Sequence, residues 1–304
     1  MRPTLFALHL GARSLDVHAY GLLVALGAIA GIVLAVRQGR RMGFDTAAVL
    51  DLCFWALVAG LVGARLLYVI VHLGDYARLC VGSDSPRPAL RALGDCAAPL
   101  FIWQGGLVFY GGALAAVGVL WRFARRQGWP MADVADLLAP SLALGHVFGR
   151  VGCLLAGCCF GKICSFGLRF PPASVAYTDL ARAGLVTPGA PSTPPLAPTQ
   201  LYEAAGECVL FVALLVLGRR RRFPGSLVLV YVMGYALLRT SVEVLRGDTA
   251  RGFLFELTLP SLAGWLGLPA DQPVALSTAQ ALSLVLGLAA AVAYRILRRR
   301  SALS

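Results

Sequence analysis

The sequence contains 304 residues, of which 58% are hydrophobic and only 14% are charged, and its mean hydropathy is +0.75. A soluble domain carries about 25% charged residues, so this composition excludes a soluble globular domain, a disordered chain and a disulfide-dense secreted scaffold. The 27 Lys and Arg against 15 Asp and Glu give a net charge of +12, which on an apolar chain indicates membrane topology rather than a nucleic-acid partner.

Seven apolar segments are long enough to cross a hydrocarbon core of roughly 30 Å. They cover residues 17–36, 46–72, 100–121, 131–157, 201–218, 224–245 and 274–296. We expect that the first is not a cleaved signal peptide, because Arg13, Asp16 and His18 follow its short basic start and no small-residue cleavage site comes next. We therefore predict an all-α polytopic membrane protein, with residues 1–304 forming a single membrane domain of about seven transmembrane helices.

Arginine clusters orient the chain, because the cytoplasmic loops of membrane proteins carry an excess of Lys and Arg. Each cluster follows an odd-numbered segment, so all of them lie on one side: Arg37, Arg40 and Arg41; Arg122, Arg125 and Arg126; Arg219 to Arg222; and Arg295 with Arg298 to Arg300. That side is predicted to be cytoplasmic. The N-terminus then faces the periplasm or outside, and the C-terminus faces the cytoplasm.

The longer polar segments fall on the opposite side. Residues 161–200, here called the head segment, are predicted to form an extracytoplasmic loop or small head, and 187–198 (TPGAPSTPPLAP) a flexible or extended linker within it. Cys80 and Cys96 lie in the exported segment 73–99, where we expect either a disulfide or two unpaired thiols.

The sixth apolar segment carries four polar residues on one helix face. Tyr235, Arg239, Glu243 and Arg246 are separated by four, four and three residues. Such a face cannot contact lipid tails, so it lines a polar cavity or pairs with other helices. An internal ion pair between Arg239 and Glu243 is the simplest alternative.

Ionisable side chains in other segments strengthen this hypothesis, because a charge inside a membrane is costly and usually marks a functional site. Arg150 lies near the outer end of the fourth segment, Glu203 and Glu207 open the fifth, and Arg65 lies in the second. Arg65 has a structural alternative, in which Glu203 or Glu243 neutralises its charge.

Glycines surround these residues in two segments: Gly105, Gly106, Gly111 and Gly112 in the third, and Gly149, Gly152, Gly157 and Gly161 in the fourth. Small residues are common where membrane helices pack, but beside Gln104 and Arg150 they also favour a ligand cavity. A central, arginine-lined cavity open to the outer side suits a phosphate, because guanidinium makes bidentate contacts to phosphate. In a bilayer, such a ligand is a phospholipid head group.

Seven motifs follow one another along the chain: AYGLLVALG (19–27), GARLLYV (63–69), WQGGLVFYGG (103–112), GRVGCLLAGCCFG (149–161), PTQLYE (198–203), GYALLRTSVEVLR (234–246) and STAQALSL (277–284). In these motifs the chain resembles the bacterial prolipoprotein diacylglyceryl transferase family over most of its length. The resemblance implies an enzyme of the bacterial cytoplasmic (inner) membrane. Such an enzyme moves the diacylglyceryl group of phosphatidylglycerol onto the lipobox cysteine thiol of exported prolipoproteins and releases glycerol phosphate.

The resemblance also implies partners and residue roles. The partners are phosphatidylglycerol, prolipoprotein signal peptides and the lipid bilayer, with no cofactor and no metal ion. Arg150 and Arg239 would hold the phosphate and, together with Tyr110, act in catalysis. The remaining phospholipid-binding residues would be Tyr20, Gln104, Glu203, Tyr235, Glu243, Arg246, Cys153 and Gly157.

Three positions depart from the family's pattern. Tyr110 stands where the family usually has a histidine thought to be important in catalysis, and Cys153 and Cys158 replace asparagine and glutamate. Because tyrosine is a poor base at neutral pH, Arg239 or Tyr110 would have to assist the thiol, or the thiol ionises unaided. His146, one helical turn before the arginine of the fourth segment, either enters the site or is satisfied within the helix bundle.

These departures leave two functional alternatives: a divergent paralogue that uses the same phospholipid with another acceptor, and a non-catalytic phospholipid-binding membrane protein. The four cysteines at 153, 158, 159 and 164 also have several interpretations, namely packing, a disulfide involving Cys164, a catalytically active thiol and a metal site. The metal site is disfavoured because the C-x₂-C pairs typical of zinc are missing.

Overall fold

The structure is a computed structural model that describes residues 4–10, 13–76, 106–187, 189–247, 264 and 277–302. The described residues are mostly helical, which confirms the predicted class. The chain begins with two short strands, β1 (Thr4–Leu10) and β2 (Arg13–His18), which pair in antiparallel fashion with Leu8 opposite Leu15. The first helix follows directly, so it begins two residues later than the predicted segment.

Seven of the described helices are 18 residues or longer. In chain order the elements after the hairpin are α1 (Ala19–Arg41), α2 (Thr46–Val71), α3 (Phe109–Gln127), α4 (Met131–Ala156), β3 (Ile163–Leu168), α5 (Val175–Arg182), α6 (Thr199–Gly218), α7 (Ser226–Glu243) and α8 (Thr278–Ser301). Six of them, namely all the long helices except α3, are long and apolar enough to cross a membrane. Six of the seven predicted spans therefore have a matching helix. The predicted span 100–121 starts outside the described residues.

Local sequence signals set several helix ends. Asp45 caps α2 by accepting a hydrogen bond from the Ala48 amide at 2.8 Å, and Ser277 and Gln280 form a reciprocal capping box at the start of α8. Gly128 ends α3 in the left-handed conformation, at φ +68°. Arginines occupy the last turns of α1, α3 and α8, where a positive charge complements the helix dipole.

The chain divides into two compact units, Ala35–Val134 and a larger one made of Met1–Leu34 with Ala135–Ser304. In the smaller unit α2 packs against α3 at a glycine contact. A Cβ atom added to Gly63 would lie 2.5 Å from Ala115 Cβ, and Gly111 faces Gly63 just as closely. Gly111 is therefore required for helix packing, so the suggestion that it borders a cavity is not supported.

In the larger unit α7 packs against both α6 and α8. A buried apolar cluster joins α4, α6 and α7 through Ala139, Ala143, Leu214, Leu227 and Tyr231. Helix α8 is tied to α7 by the Gln280 side chain, whose Nε2 donates to the Thr240 carbonyl at 3.1 Å. These contacts fix α4, α6 and α7, the helices that carry most of the predicted site.

The head segment has a small core of its own. Phe160, Phe170, Leu180 and Leu196 are buried together, and the Phe170 amide donates to Thr193 Oγ1 at 3.0 Å. Both Thr193 and Leu196 are fully buried, although they fall in the stretch predicted to be a flexible linker. The flexible alternative was wrong for these residues, because a threonine hydroxyl and a leucine anchor the Pro-rich stretch to the core, while the extended alternative agrees with the β-bridges that Leu196 forms.

A buried carboxylate connects α4 to the start of α7. Asp136 is completely buried and accepts hydrogen bonds from the amides of Gly225 at 2.8 Å and Val228 at 2.9 Å. Its Oδ2 also lies 2.9 Å from Arg221 Nε. Asp136 therefore caps α7 from another helix and neutralises an arginine of the preceding loop.

We expect Asp136→Ala to destabilise the protein by about 3–5 kcal/mol, because the substitution leaves buried amide groups and Arg221 without their acceptor. Asp179→Ala is the matched control, since Asp179 pairs at 3.9 Å with an arginine that is 78% exposed, and such surface pairs contribute less than about 1 kcal/mol. Unfolding of the two purified variants in detergent measures the difference. Equal unfolding midpoints would show that Asp136 does not hold α4 and α7 together.

Candidate functional site

Five side chains form a chain of alternating charges in the larger unit, here called the charge cluster. Glu203 lies at its centre, with Oε2 2.7 Å from Arg150 and Oε1 2.9 Å from Arg239. Arg239 also reaches Glu243 Oε2 at 2.6 Å, and Arg246 Nε lies 3.9 Å from the same oxygen. The predicted Arg239–Glu243 ion pair is thus present, but as part of a larger network.

Three helices and one turn place these residues together. Arg150 lies in the last two turns of α4, Glu203 in the first two turns of α6, and Arg239 and Glu243 in the last turns of α7. Backbone hydrogen bonds join the segment after α4 to the chain beside the other two helices. Gly161 N donates to Ala197 O, just before α6, at 3.0 Å, and Lys162 N donates to Leu245 O, just after α7, at 2.8 Å. Arg246 consequently lies opposite Gly161 in an isolated β-bridge.

The charge cluster carries one net positive charge, because three guanidinium groups face two carboxylates. The arginine side chains are mostly buried, with 21% of Arg150, 12% of Arg239 and 9% of Arg246 exposed. A guanidinium has five N–H donors, so a carboxylate contact leaves others able to bind a second anion. The arrangement therefore suits a phosphate, and the carboxylates hold the guanidinium groups in place for it.

The turn that follows α4, residues 157–161, presents cysteines beside the charge cluster, and we call it the cysteine turn. Gly157 and Cys159 both have left-handed backbone angles, at φ +75° and +56°. The start of α6 clamps the turn, since Thr199 Oγ1 donates to the Cys159 carbonyl and Gln200 Nε2 to the Cys158 carbonyl, each at 2.8 Å. The strained conformation at Cys159 is thus held by two buried side chains.

Three thiols meet at this turn. The Sγ atoms of Cys153, Cys158 and Cys159 lie within 4.8 Å of one another, and all three are free, as is Cys164. The predicted disulfide involving Cys164 is therefore absent from the structure. Thiols this close together could also hold a soft metal ion, and among the described residues these three form such a group. The spacing of the cysteines in the sequence did not indicate this grouping.

The surroundings of the turn shift the pKa values of two of its thiols in opposite directions. Hydrogen bonds from the thiols of Cys153 and Cys158, together with the positive charges of Arg246 and Arg150, lower the pKa of Cys159 against the opposing effect of burial. Hydrogen bonding with Cys153 and Cys159, together with burial, raises the pKa of Cys158. Of these two thiols, Cys159 is therefore the one whose thiolate form is favoured.

The structure brings most of the predicted site residues together. Tyr20 packs against Gly152, where an added Cβ would approach its ring to 3.0 Å, and its hydroxyl lies in the electrostatic field of the cysteines and Arg150. Tyr235 is similarly close to Arg150 and Arg239. The set gathered in the larger unit is Tyr20, Arg150, Cys153, Gly157, Glu203, Tyr235, Arg239, Glu243 and Arg246.

Other predicted residues belong to the smaller unit or lie outside the described residues. Tyr110 lies in the first turn of α3, half exposed, with its ring 5.8 Å from that of Phe109. Arg65 is buried and donates to the Gly106 carbonyl at 3.1 Å and to Tyr76 Oη at 3.3 Å. Gln104 lies outside the described residues, as do Cys80 and Cys96.

Thr199 and Gln200 belong to the site although they were not predicted from the sequence. Both are completely buried and act on the cysteine turn through their side chains. Their signal was available in the motif PTQLYE, where two polar residues open an apolar segment without an obvious partner. Only the fold shows that their partners are carbonyl groups some forty residues earlier in the chain.

A model of the prolipoprotein diacylglyceryl transferase family matches residues 6–296. The chain belongs to this family. A relative from Clostridium tetani (strain Massachusetts / E88), named phosphatidylglycerol–prolipoprotein diacylglyceryl transferase, is 31% identical over 248 residues, which are 82% of this chain and 86% of the relative. A relative of the same name from Parasynechococcus marenigrum (strain WH8102) is 34% identical over 239 residues, covering 75% and 76% of the two chains. The resemblance found in the sequence motifs is thereby confirmed.

The perturbed cysteine turn predicts a pH dependence for alkylation of this family member. Because its pKa is lowered, Cys159 keeps a larger thiolate fraction than Cys158 as the pH falls, so its alkylation by iodoacetamide should decrease less than that of Cys158 between about pH 8 and about pH 6. Cys158, with a raised pKa, should react only at the alkaline end. Peptide mass spectrometry of the alkylated protein measures both sites.

Arg246→Gln provides the control, because removing this charge raises the pKa of the Cys159 thiol. Alkylation of Cys159 in this variant should fall toward acidic pH, by up to about tenfold per pH unit. The assignment is wrong if Cys159 of the unchanged protein already shows that tenfold dependence.

Proposed function

We propose that this chain transfers the diacylglyceryl group of phosphatidylglycerol to the lipobox cysteine thiol of exported prolipoproteins and releases glycerol phosphate. The observation that carries the proposal is the buried, net-positive charge cluster centred on Glu203, set among apolar helices. A phosphodiester with apolar acyl chains is the ligand that such surroundings fit, and the relatives of this chain are named for this activity.

The reaction needs stabilisation of charge at the leaving group. A thiolate attacks the glycerol carbon that bears the phosphate, and the carbon–oxygen bond breaks with its electron pair moving to the phosphate oxygen. Guanidinium groups fixed beside that oxygen stabilise the transition state, because they need no reorganisation as the charge develops. Arg150 and Arg239 take this role, and Glu203, which contacts both, fixes their separation.

The remaining residues shape the substrate pocket. Glu243 orients Arg239 at the end of α7 and also lies beside Arg246. Arg246 therefore extends the proposed anion site beyond the end of this helix. Tyr20 and Tyr235 place hydroxyl groups near the same arginines, where they can donate to phosphate or glycerol oxygens. Cys153, which lies near Tyr20, and Gly157 belong to the same proposed site. Gln104 is a proposed phospholipid-binding residue on the ground of its sequence motif alone.

The site belongs at the outer face of the bacterial cytoplasmic membrane. Arginine clusters lie in the last turns of α1, α3 and α8 and directly after α6, and the positive-inside rule assigns these helix ends to the cytoplasm. The charge cluster lies at the C-terminal ends of α4 and α7 and the N-terminal end of α6, which alternation assigns to the opposite side. The N-terminus and the head segment then face the periplasm, where prolipoproteins present their signal peptides.

The first test replaces arginine without removing its charge. Arg150→Lys and Arg239→Lys keep a cation but lose the planar fork, so each should reduce the transfer rate by about 100-fold. The assay uses purified protein in phosphatidylglycerol vesicles and measures diacylglyceryl transfer to a lipobox peptide. Arg182→Lys, at an exposed position of α5, is the matched control and should keep full activity. Absence of transfer by the unchanged protein would overturn the proposed function, and full activity of both variants would overturn the phosphate clamp.

A second test addresses Tyr110. If its hydroxyl contributes to turnover, Tyr110→Phe should lower kcat by about tenfold or more. Tyr110→His restores a group that can accept a proton near neutral pH and should raise the rate at pH 7. Turnover unchanged in both variants would show that Tyr110 contributes packing alone.

A further inference from the structure

A second polar layer lies one helical turn from the charge cluster. His146 Nδ1 is 3.0 Å from Glu207 Oε1 and 2.8 Å from the Tyr231 hydroxyl oxygen. Glu207 is almost completely buried, at 1% exposed, whereas 39% of the His146 side chain is exposed. A buried carboxylate thus holds a partly exposed imidazole, an arrangement that the phosphate clamp does not use.

The histidine layer and the charge cluster have corresponding arrangements because α4 and α6 contribute residues to both. His146 and Arg150 are four residues apart on α4, and Glu207 and Glu203 are four apart on α6. Residues with this spacing share one helix face, about 6 Å apart. Each glutamate contacts the α4 residue at its own level, so the histidine layer repeats the arginine layer one turn along the bundle. On α7 the residue that contacts His146 is Tyr231.

These two contacts are both made at Nδ1 of the imidazole. An ionised carboxylate can only accept, so the Nδ1 hydrogen of His146 is assigned to the bond with Glu207 Oε1, and the Tyr231 hydroxyl lies against the same ring nitrogen. The Nε2 atom then carries the free lone pair. This is how a catalytic base is prepared: a buried acid fixes one ring nitrogen, and the other can take a proton.

We propose that His146 is the general base that takes the proton from the acceptor cysteine, and that Glu207 and Tyr231 are its positioning residues. The inference rests on the proposed function and adds to it the source of the thiolate. His146 Nε2 takes the thiol proton, sulfur attacks the glycerol carbon, and the carbon–oxygen bond breaks with its electron pair moving to the phosphate. The proton passes from the imidazolium to the departing glycerol phosphate or to water, so the balance closes without a further reactant.

The spacing of the layers suits an in-line displacement. In the transition state sulfur, carbon and leaving oxygen are collinear, which puts the sulfur roughly 5 Å from the phosphorus. One helical turn is about 5.4 Å, so a phosphate held by Arg150 leaves the attacking sulfur at the level of His146.

Four groups surround the imidazole. Glu207 faces it from α6, Tyr231 and Tyr235 face it from α7 with ring centroids 6.3 and 5.5 Å away, and Arg150 lies one turn along α4. A base accepts a proton only in its neutral form, so the transfer rate should fall toward acidic pH.

The test compares His146→Gln with the unchanged protein in phosphatidylglycerol vesicles, measuring kcat and KM for lipobox-peptide transfer from about pH 6 to about pH 9. We expect kcat at pH 7 to fall by about 100-fold with KM for the phospholipid unchanged. The variant's rate should then rise by about tenfold per pH unit up to the ordinary thiol pKa of about 8.5, because its thiol ionises unaided.

Two further variants separate a base from a structural residue. Added imidazole should restore part of the rate of His146→Ala, which repair of packing alone would not do. Glu207→Gln should lower kcat by at least about tenfold and change the acid limb of the pH profile, since an amide cannot stabilise the imidazolium. His72→Gln is the control, because His72 stacks on Tyr68 in the smaller unit and should be replaceable without loss.

Each result supports or overturns the proposed base role of His146. A His146→Gln protein with kcat within twofold of the unchanged protein and the same pH profile overturns the inference, as does a loss confined to KM. A loss of kcat without imidazole rescue and with an unchanged pH profile assigns His146 to packing and also overturns it. If the unchanged protein transfers no diacylglyceryl group, the proposed function fails first and the base role with it.

Discussion

A single carboxylate that joins two guanidinium groups is the interaction on which the site depends. Glu203 is nearly fully buried and contacts Arg150 on α4 and Arg239 on α7. In apolar surroundings none of these charges is tolerable alone, because removing one partner of a buried ion pair typically costs about 3–5 kcal/mol. The pairing therefore fixes three helices relative to one another. It also leaves a surplus of positive charge, since the cluster has one more guanidinium than carboxylates.

The helical period repeats this polar arrangement one turn away. Helices α4 and α6 each present a second polar residue there, and α7 adds Tyr231 to that layer. In the proposed function the first layer binds an anion, while the second layer holds an imidazole against a buried carboxylate. The distance between them is set by backbone geometry and not by side-chain flexibility. This is the kind of preorganisation that a displacement at carbon with a phosphate leaving group requires.

The cysteine turn is held through its backbone. Thr199 and Gln200 bind its carbonyl groups, so these two contacts do not depend on which side chains the turn carries. The cysteine side chains instead determine the local chemistry, because three thiols lie together near Arg150 and Arg246.

The sequence by itself determined the membrane class, the approximate position of the long helices and the residues of the charge cluster. These follow from local rules: apolar length predicts spans, and a charge in an apolar segment needs a partner. Only the tertiary structure decided which partners meet. The Glu203 bridge joins residues 53 and 36 positions apart in the chain, the carbonyl acceptors of Gln200 and Thr199 lie on a distant turn, and the three thiols are brought together by left-handed backbone at Gly157 and Cys159. Helical spacing shows which residues share a face, but the packing of neighbouring helices decides what each face contacts.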